Sequence, residues 1–368
     1  MFDRRLANNF DWPLLLLALS IAAIGLTTLY SATLEGGEQS HGVFIKQIYW
    51  LCYGLLAMIL VLLFDYHHLA RSAYLFYFVT IVLLVVVLMV GKVISGSQRW
   101  LKIGSITFQV SEMAKLSITL VLARYFSDGK GKGQNYYLKD LLVPGVLLLI
   151  PFALIVKQPD LGTALLLVII SFVIIFLIEI HIGSLLKLVG AGVAAMFPMW
   201  FFLKDYQKNR LMTLFFPEQD PLGTGYHAIQ SKIAIGSGGI FGKGLFAGTQ
   251  SRLNFLPEKH TDFIFAVYAE ETGFLGAVVL IVLYLFFIFR CFQVLSHSKD
   301  RFGTLLAAGI IASFSCYIII NIGMTLGLFP IVGVPLPLMS YGGSSLVTTF
   351  ICLGVLLNIK MRRFIEIK

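Results

Sequence analysis

Asp262 is the residue in this chain with the plainest capacity for chemistry. It lies in NFLPEKHTDFIFAVYAEETGFLG (254–276), behind His260 and Thr261, where a polar loop turns into an apolar run. A carboxylate at that border either caps the following helix by accepting from its free N–H groups, or acts as a general base at a membrane surface. The helix N-terminus favours its charged form, while Leu256, Phe263 and Phe265 disfavour it by desolvation. Glu112 and Lys115 in QVSEMAKLSITL are three apart and share a helix face. They can neutralise each other, or Lys115 can meet phosphates at the height of the outer leaflet. Arg99 in GSQRWLKIG, Lys46, Lys157 and Arg210 stand at other outer borders. Singly each reads as a headgroup anchor; together with Lys115 they could clamp a diphosphate.

Other polar residues sit at equally telling places. Asp160 in KQPDLGTALL begins a helix between Pro159 and Gly162, which points to a cap. Ser340 opens the last apolar run in SYGGSS, a pattern of close helix packing. Glu270 and Glu271 lie two turns inside an apolar run, so they must face protein or a wet cavity, which marks them as functional candidates. No cluster of carboxylates has metal-ligand spacing. Cys52, Cys291, Cys316 and Cys352 occur singly in apolar runs and read as small core residues.

The elements that must position these groups are membrane helices. The chain has 368 residues, of which 58% are hydrophobic and only 13% charged, with a mean hydropathy of +0.87. About ten runs approach the length of a span, at roughly 13–31, 47–64, 73–91, 112–126, 141–156, 161–179, 182–203, 263–290, 302–327 and 340–359. The expectation is an all-α, polytopic integral membrane protein, a single domain over 1–368. The first run follows Asp3, Arg4 and Arg5 as a signal peptide would, but it continues too far and lacks a small-residue cleavage site, so an uncleaved span is expected.

A net charge of +9 raises nucleic acid as a partner, yet the cations are scattered between apolar runs with no aromatic-laced basic stripe, which argues against it. With the N-terminus inside, more than half of the 28 Lys and Arg residues fall on cytoplasmic segments. Both termini are then cytoplasmic, and the 204–262 loop between the seventh and eighth helices faces outward. That loop is too long for a connector. PEQDPLGTGY (217–226) is turn chemistry, HAIQSKIAI (227–235) has the period of a short helix on the membrane, and GSGGIFGKGLFAG (236–248) could form an anion nest. The residues alone describe an outer-face site for a membrane-anchored phosphate lipid.

DPLGTGYHAIQSKIAIGSGGIFGKG, GTQSRLNFLPEKHTDFIFAVYAEETGFLG and PLPLMSYGGSS, with QPDLGT (158–163) and GSQRWLKIG…QVSEMAK (96–115), resemble the SEDS family (shape, elongation, division and sporulation proteins). The likeness runs from about residue 10 to the C-terminus, and it is nearer the rod-shape branch than the cell-division branch. QVSE at 109–112 departs from a Pro common before the Ser. The resemblance implies ten transmembrane helices and a peptidoglycan glycosyltransferase of the bacterial cytoplasmic (inner) membrane that polymerises lipid II on its outer face during elongation. It places the catalytic acid on Asp262, accepting a proton from the GlcNAc 4-hydroxyl of an acceptor lipid II while undecaprenyl diphosphate leaves the donor chain with inversion. Lys115, Arg99, Glu112, Lys46, Arg210, Asp160, His260, Thr261 and Ser340 become substrate-binding candidates. No cofactor is fixed by these residues; a divalent cation (Mg or Mn) could share the task of neutralising the diphosphate. The implied partners are a class B penicillin-binding transpeptidase and the elongation machinery. A lipid II flippase and a non-catalytic scaffold are the competing readings. A flippase needs polar groups through the mid-bilayer, whereas the ionisable residues here crowd the outer border.

Overall fold

Apolar runs of this length satisfy their own backbone as helices, and the computed structural model of the chain is a helical bundle. It describes residues 9–363 apart from 35–36, 95–96, 105, 131–134, 221–222, 253–255 and 257. Each expected run falls on a helix: α1 Trp12–Thr33, α2 Gly37–Leu63, α3 Tyr66–Val90, α4 Val110–Ser127, α5 Leu142–Lys157, α6 Leu161–Phe176 and α7 Ile182–Phe202, then, beyond the long loop, α11 Ile264–His297, α12 Arg301–Thr325 and α13 Gly343–Met361. Among the described residues seven helices are long and apolar enough to cross a membrane, and α6 and part of α7 are shorter apolar helices.

The least apolar of these ten helices, α4, is the one most enclosed by protein. It packs against α3, α5, α6, α12 and α13, and nearly every residue from Val110 to Ala123 is buried. A helix that meets other helices rather than lipid can carry Glu112 and Lys115. The core is therefore centred on α4, α12 and α13.

The all-helix expectation misses one feature. Between α3 and α4 lies a three-stranded antiparallel sheet, β1 Lys92–Ile94, β2 Ser97–Ile103 and β3 Ile106–Gln109. Leu101 pairs with Phe108, and both pack on the core, while Trp100 pairs with Gln109. The alternation is only a few residues long and sits between strong apolar runs, which hid it. Its effect is positional: β2 carries Arg99, and β3 runs directly into α4.

The 204–262 loop is built from short elements, α8 Asp205–Phe215, α9 Thr224–Ser237 and α10 Thr249–Arg252. The expected membrane-surface helix is α9, but its inner face belongs to the protein. Ala234 packs with Leu256, Phe263, Ala266 and Val267 against the start of α11, and Ser231 donates to Thr325 O at 2.8 Å.

α11 is broken at Gly273, whose φ of 70° and ψ of −166° are non-helical. The N–H groups this frees are taken up by the glycine-rich segment: Phe274 N donates to Gly239 O at 2.8 Å and Leu275 N to Ile240 O at 3.1 Å. The glycines thus permit close backbone approach, and two N–H groups of the segment expected to form an anion nest go to main-chain carbonyls, Lys243 N to Glu270 O (3.1 Å) and Gly244 N to Glu271 O (3.0 Å). Glu270, with no exposed surface, accepts from Thr249 N (2.8 Å), Gln250 N (2.9 Å) and Lys243 Nζ (2.7 Å). Glu271 accepts from Ser31 of α1. Both glutamates expected to be functional are engaged in holding the broken helix to its surroundings. Glu270→Ala should lower the unfolding free energy by about 3 kcal/mol, read as a fall in thermal unfolding temperature in detergent; an unchanged temperature would contradict this role.

At the opposite end, Asp11 caps α1 through Leu14 N (3.3 Å) and accepts from Arg290 of α11 (2.5 Å) and from Lys360 of α13. The first and last described residues therefore share one end of the bundle. The four cysteines are unpaired.

Candidate active site

The turn before α11 is held by its main chain. Asn321 of α12 donates its Nδ2 to Asp262 O at 3.0 Å and to Val334 O at 2.7 Å. Ser340 Oγ donates to Thr261 O at 2.6 Å and accepts from Leu336 N at 2.8 Å. Tyr341 N donates to His260 O at 2.9 Å. Gln47 of α2 closes the frame, donating to Ser340 O at 3.1 Å and accepting from Gly342 N at 3.3 Å. With three successive carbonyls tied down, the side chains of 260–262 are left for other contacts.

Asp262 is half-buried, and among the described residues no hydrogen bond reaches its carboxylate. The capping alternative is thereby set aside: α11 begins at Ile264 with no side-chain cap at all. Burial, reinforced by the Glu258 carboxylate, pushes the Asp262 pKa up to about 6, against the opposing pull of Arg99 and Arg210. Desolvation thus outweighs the two guanidinium groups, and a carboxylate poised near neutrality is well matched to a base that takes a proton and later gives it up. His260, pushed down to about 4 by burial and Lys259, is neutral at pH 7. Thr261 donates its hydroxyl to Glu258 Oε2 at 3.2 Å, which fixes the second carboxylate of the turn.

Arg99 reaches Asp160 at 3.6 Å. Asp160 is buried and caps α6 through Thr163 N (3.3 Å), as its sequence position indicates, and it also accepts from Ser111 Oγ (3.2 Å) and Gln109 Nε2 (3.3 Å). The capped carboxylate therefore anchors an arginine whose charge acts on Asp262.

Glu112 and Lys115 form the ion pair anticipated from their spacing, 2.7 Å apart and 4% and 5% exposed. Tyr317 of α12 completes it: its hydroxyl donates to Glu112 at 2.9 Å, and Lys115 Nζ lies 3.9 Å from its ring centre. Tyr317 is one helical turn from Asn321, about 6 Å along α12 from the tether of Asp262. The group lines a solvent-connected cavity together with Thr119, Ser313, Pro337 and Thr348.

The single clamp expected from the sequence is divided. The cavity that holds Lys115 is not lined by Asp262 or Arg99. Arg99 and Arg210 are the cations that act on Asp262. Lys46 and Lys157 are exposed. Ser340 is buried with its hydroxyl used within the chain, which makes it a positioning residue. No group of three or more His, Cys, Asp or Glu side chains among the described residues could hold a metal ion.

Sequence reading overlooked Asn321, Tyr317, Gln47, Glu258 and Gly333. Asn321 and Tyr317 are polar groups four apart inside SCYIIINIGM, and that spacing within an apolar helix was the available signal. Gly333 has a φ of 69°, and a Cβ there would lie 3.3 Å from Asp262 Oδ2. Gly333→Ala should therefore cut activity about tenfold or more, with little loss of folded protein in size-exclusion profiles. Full activity in that variant would mean the carboxylate does not depend on its present seat.

The fold and site define a class: an all-α, polytopic membrane protein with a carboxylate that has no hydrogen bond among the described residues, under the charge of Arg99 and Arg210. The chain belongs to the FtsW/RodA/SpoVE family of cell cycle proteins, whose model matches residues 11–364. It is 40% identical over 360 residues to peptidoglycan glycosyltransferase MrdB of Escherichia coli (strain K12), covering 96% of this chain and 94% of that protein. It is 34% identical over 433 residues to peptidoglycan glycosyltransferase RodA of Treponema pallidum (strain Nichols), covering 97% and 98%. Among solved structures it resembles a chain of a peptidoglycan synthase complex described for its coordination of polymerization and crosslinking, with a TM-score of 0.82, 30% identity and coverage of 97% and 99%. Rod shape determining protein RodA of Thermus thermophilus is similar at a TM-score of 0.73 and 30% identity, covering 97% and 98%.

Proposed function

We propose that this chain is a peptidoglycan glycosyltransferase that polymerises lipid II, with Asp262 as its base. The observation that carries the reading is a half-buried carboxylate, fixed through its main chain, free of hydrogen bonds among the described residues and raised to about 6. Asp262 takes the proton of the acceptor's GlcNAc 4-hydroxyl. That oxygen bonds to the anomeric carbon of the donor's MurNAc, inverting it, as the bond from this carbon to the diphosphate oxygen breaks. The electron pair leaves with undecaprenyl diphosphate. Arg99, oriented by Asp160, and Arg210 face the developing charge, and Lys115 holds a phosphate at the neighbouring cavity. Neutral His260 and the Thr261–Glu258 pair flank the acceptor.

The sites lie on the outer face of the cytoplasmic membrane, with both termini inside and the ten apolar helices as crossings. A class B penicillin-binding transpeptidase and the elongation machinery are the proposed partners. The experiment is to supply lipid II to the purified chain in detergent, with and without the transpeptidase. Detergent removes sidedness, so a polymerase yields glycan strands and a flippase yields none. Absence of strands with the transpeptidase present would overturn the reading.

A further inference from the structure

Beyond the Lys115 cavity, the outward end of the molecule has a second cationic hollow. It is open to solvent and is lined by Arg210 and Thr213 of α8, Ala228 and Lys232 of α9, and residues of the turn from Gly327 to Ile331 that follows α12. No hydrogen bond or ion pair joins Arg210 or Lys232 to a carboxylate among the described residues; Arg210 lies over the Tyr206 ring at 5.9 Å. Two cations in one hollow repel each other, so the arrangement favours an anion between them.

The position of Lys232 is built. Its stem crosses Gly327, which has a φ of 72°, so closely that a Cβ there would fall 2.0 Å from Lys232 Cε. The neighbouring Ser231 hydroxyl pins α9 to the end of α12. Next in sequence to the lining residues are exposed apolar side chains: Phe215 is 73% exposed, Phe216 55% and Leu328 66%. Lys232 is exposed and Arg210 half-buried, and exposed cations beside exposed apolar side chains match a phosphate carried on a lipid rather than a free anion.

We propose that Arg210 and Lys232 form a second lipid-phosphate site, which holds the diphosphate of one polyprenyl carrier while the Lys115 cavity holds the other. This rests on the polymerase reading, in which two carriers, those of donor and acceptor, must be present at once. Arg210 then links the two halves of the site, because its charge also acts on Asp262.

The test is calorimetric titration of the full chain in phosphatidylcholine nanodiscs with farnesyl diphosphate, a short polyprenyl diphosphate. The wild type should bind two equivalents, and Lys232→Met should lose one of them or weaken it at least tenfold, with Lys232→Arg restoring it. Inorganic pyrophosphate should bind at least tenfold more weakly than farnesyl diphosphate, and phosphatidylglycerol in the disc should not displace the second equivalent. Two unchanged equivalents in Lys232→Met, equal affinity for pyrophosphate, or displacement by phosphatidylglycerol would each overturn the proposal. Binding is read without turnover, so these outcomes are distinct from failure of the catalytic reading, which the polymerisation of lipid II reports separately.

Discussion

Asp262→Asn should abolish polymerisation, by about a thousandfold or more, in a protein that inserts and folds as the wild type does. General-base removal is worth roughly 10²–10⁴ in rate, and here no other carboxylate of the turn can substitute. Glu258 is exposed and held by Thr261, and its charge acts on Asp262 from the side. The effect on stability should have the opposite sign. A carboxyl group whose folded pKa lies above its unfolded value loses stability as pH rises through the interval from 3.8 to about 6. At pH 7 that loss is complete, so the neutral amide variant should unfold at an equal or higher temperature. An inactive variant that is also destabilised would point instead to a structural role for the carboxylate.

Lys115→Met carries the second large effect, and it separates two uses of one ion pair. Removing the ammonium group leaves Glu112 buried with the Tyr317 hydroxyl as its remaining partner. Breaking a buried pair in this way costs about 3–5 kcal/mol, and polymerisation should fall about a hundredfold or more. The double substitution Glu112→Gln with Lys115→Met removes both charges and should recover most of the stability. If Lys115 serves the substrate's phosphates, activity stays lost in the double variant. Recovery of activity along with stability would reduce the pair to a device for inserting α4 among its neighbours.

Much of this molecule can be read from its residues because apolar length and period decide membrane helices directly. Each expected run lies on a helix, and the Glu112–Lys115 pair and the Asp160 cap sit where their spacing puts them. What escaped has a common physical cause, namely contacts between segments distant in the chain. The sheet that presents Arg99 is too short to stand out from its apolar flanks. The glycine-rich segment could be read as an anion nest, but the N–H groups of Lys243 and Gly244 meet main-chain carbonyls of Glu270 and Glu271 on α11. The division of the clamp follows from the 332–340 segment, which seats Gly333 against Asp262 and Pro337 in the Lys115 cavity. Asn321 and Ser340, which hold the backbone of 261–262, declare their role only through partners 59 and 79 residues away.

The claim that Asp262 is the base is tested most directly by the pH dependence of lipid II polymerisation, measured on the purified wild type and on Glu258→Gln. The rate should fall as pH drops through about 6, where Asp262 takes up its proton. Removing the Glu258 charge should move that fall to lower pH, since the neighbouring carboxylate is one of the groups that raises it. A wild-type rate that is flat from about pH 5 to 8, or an inflection that ignores Glu258, would contradict the assignment.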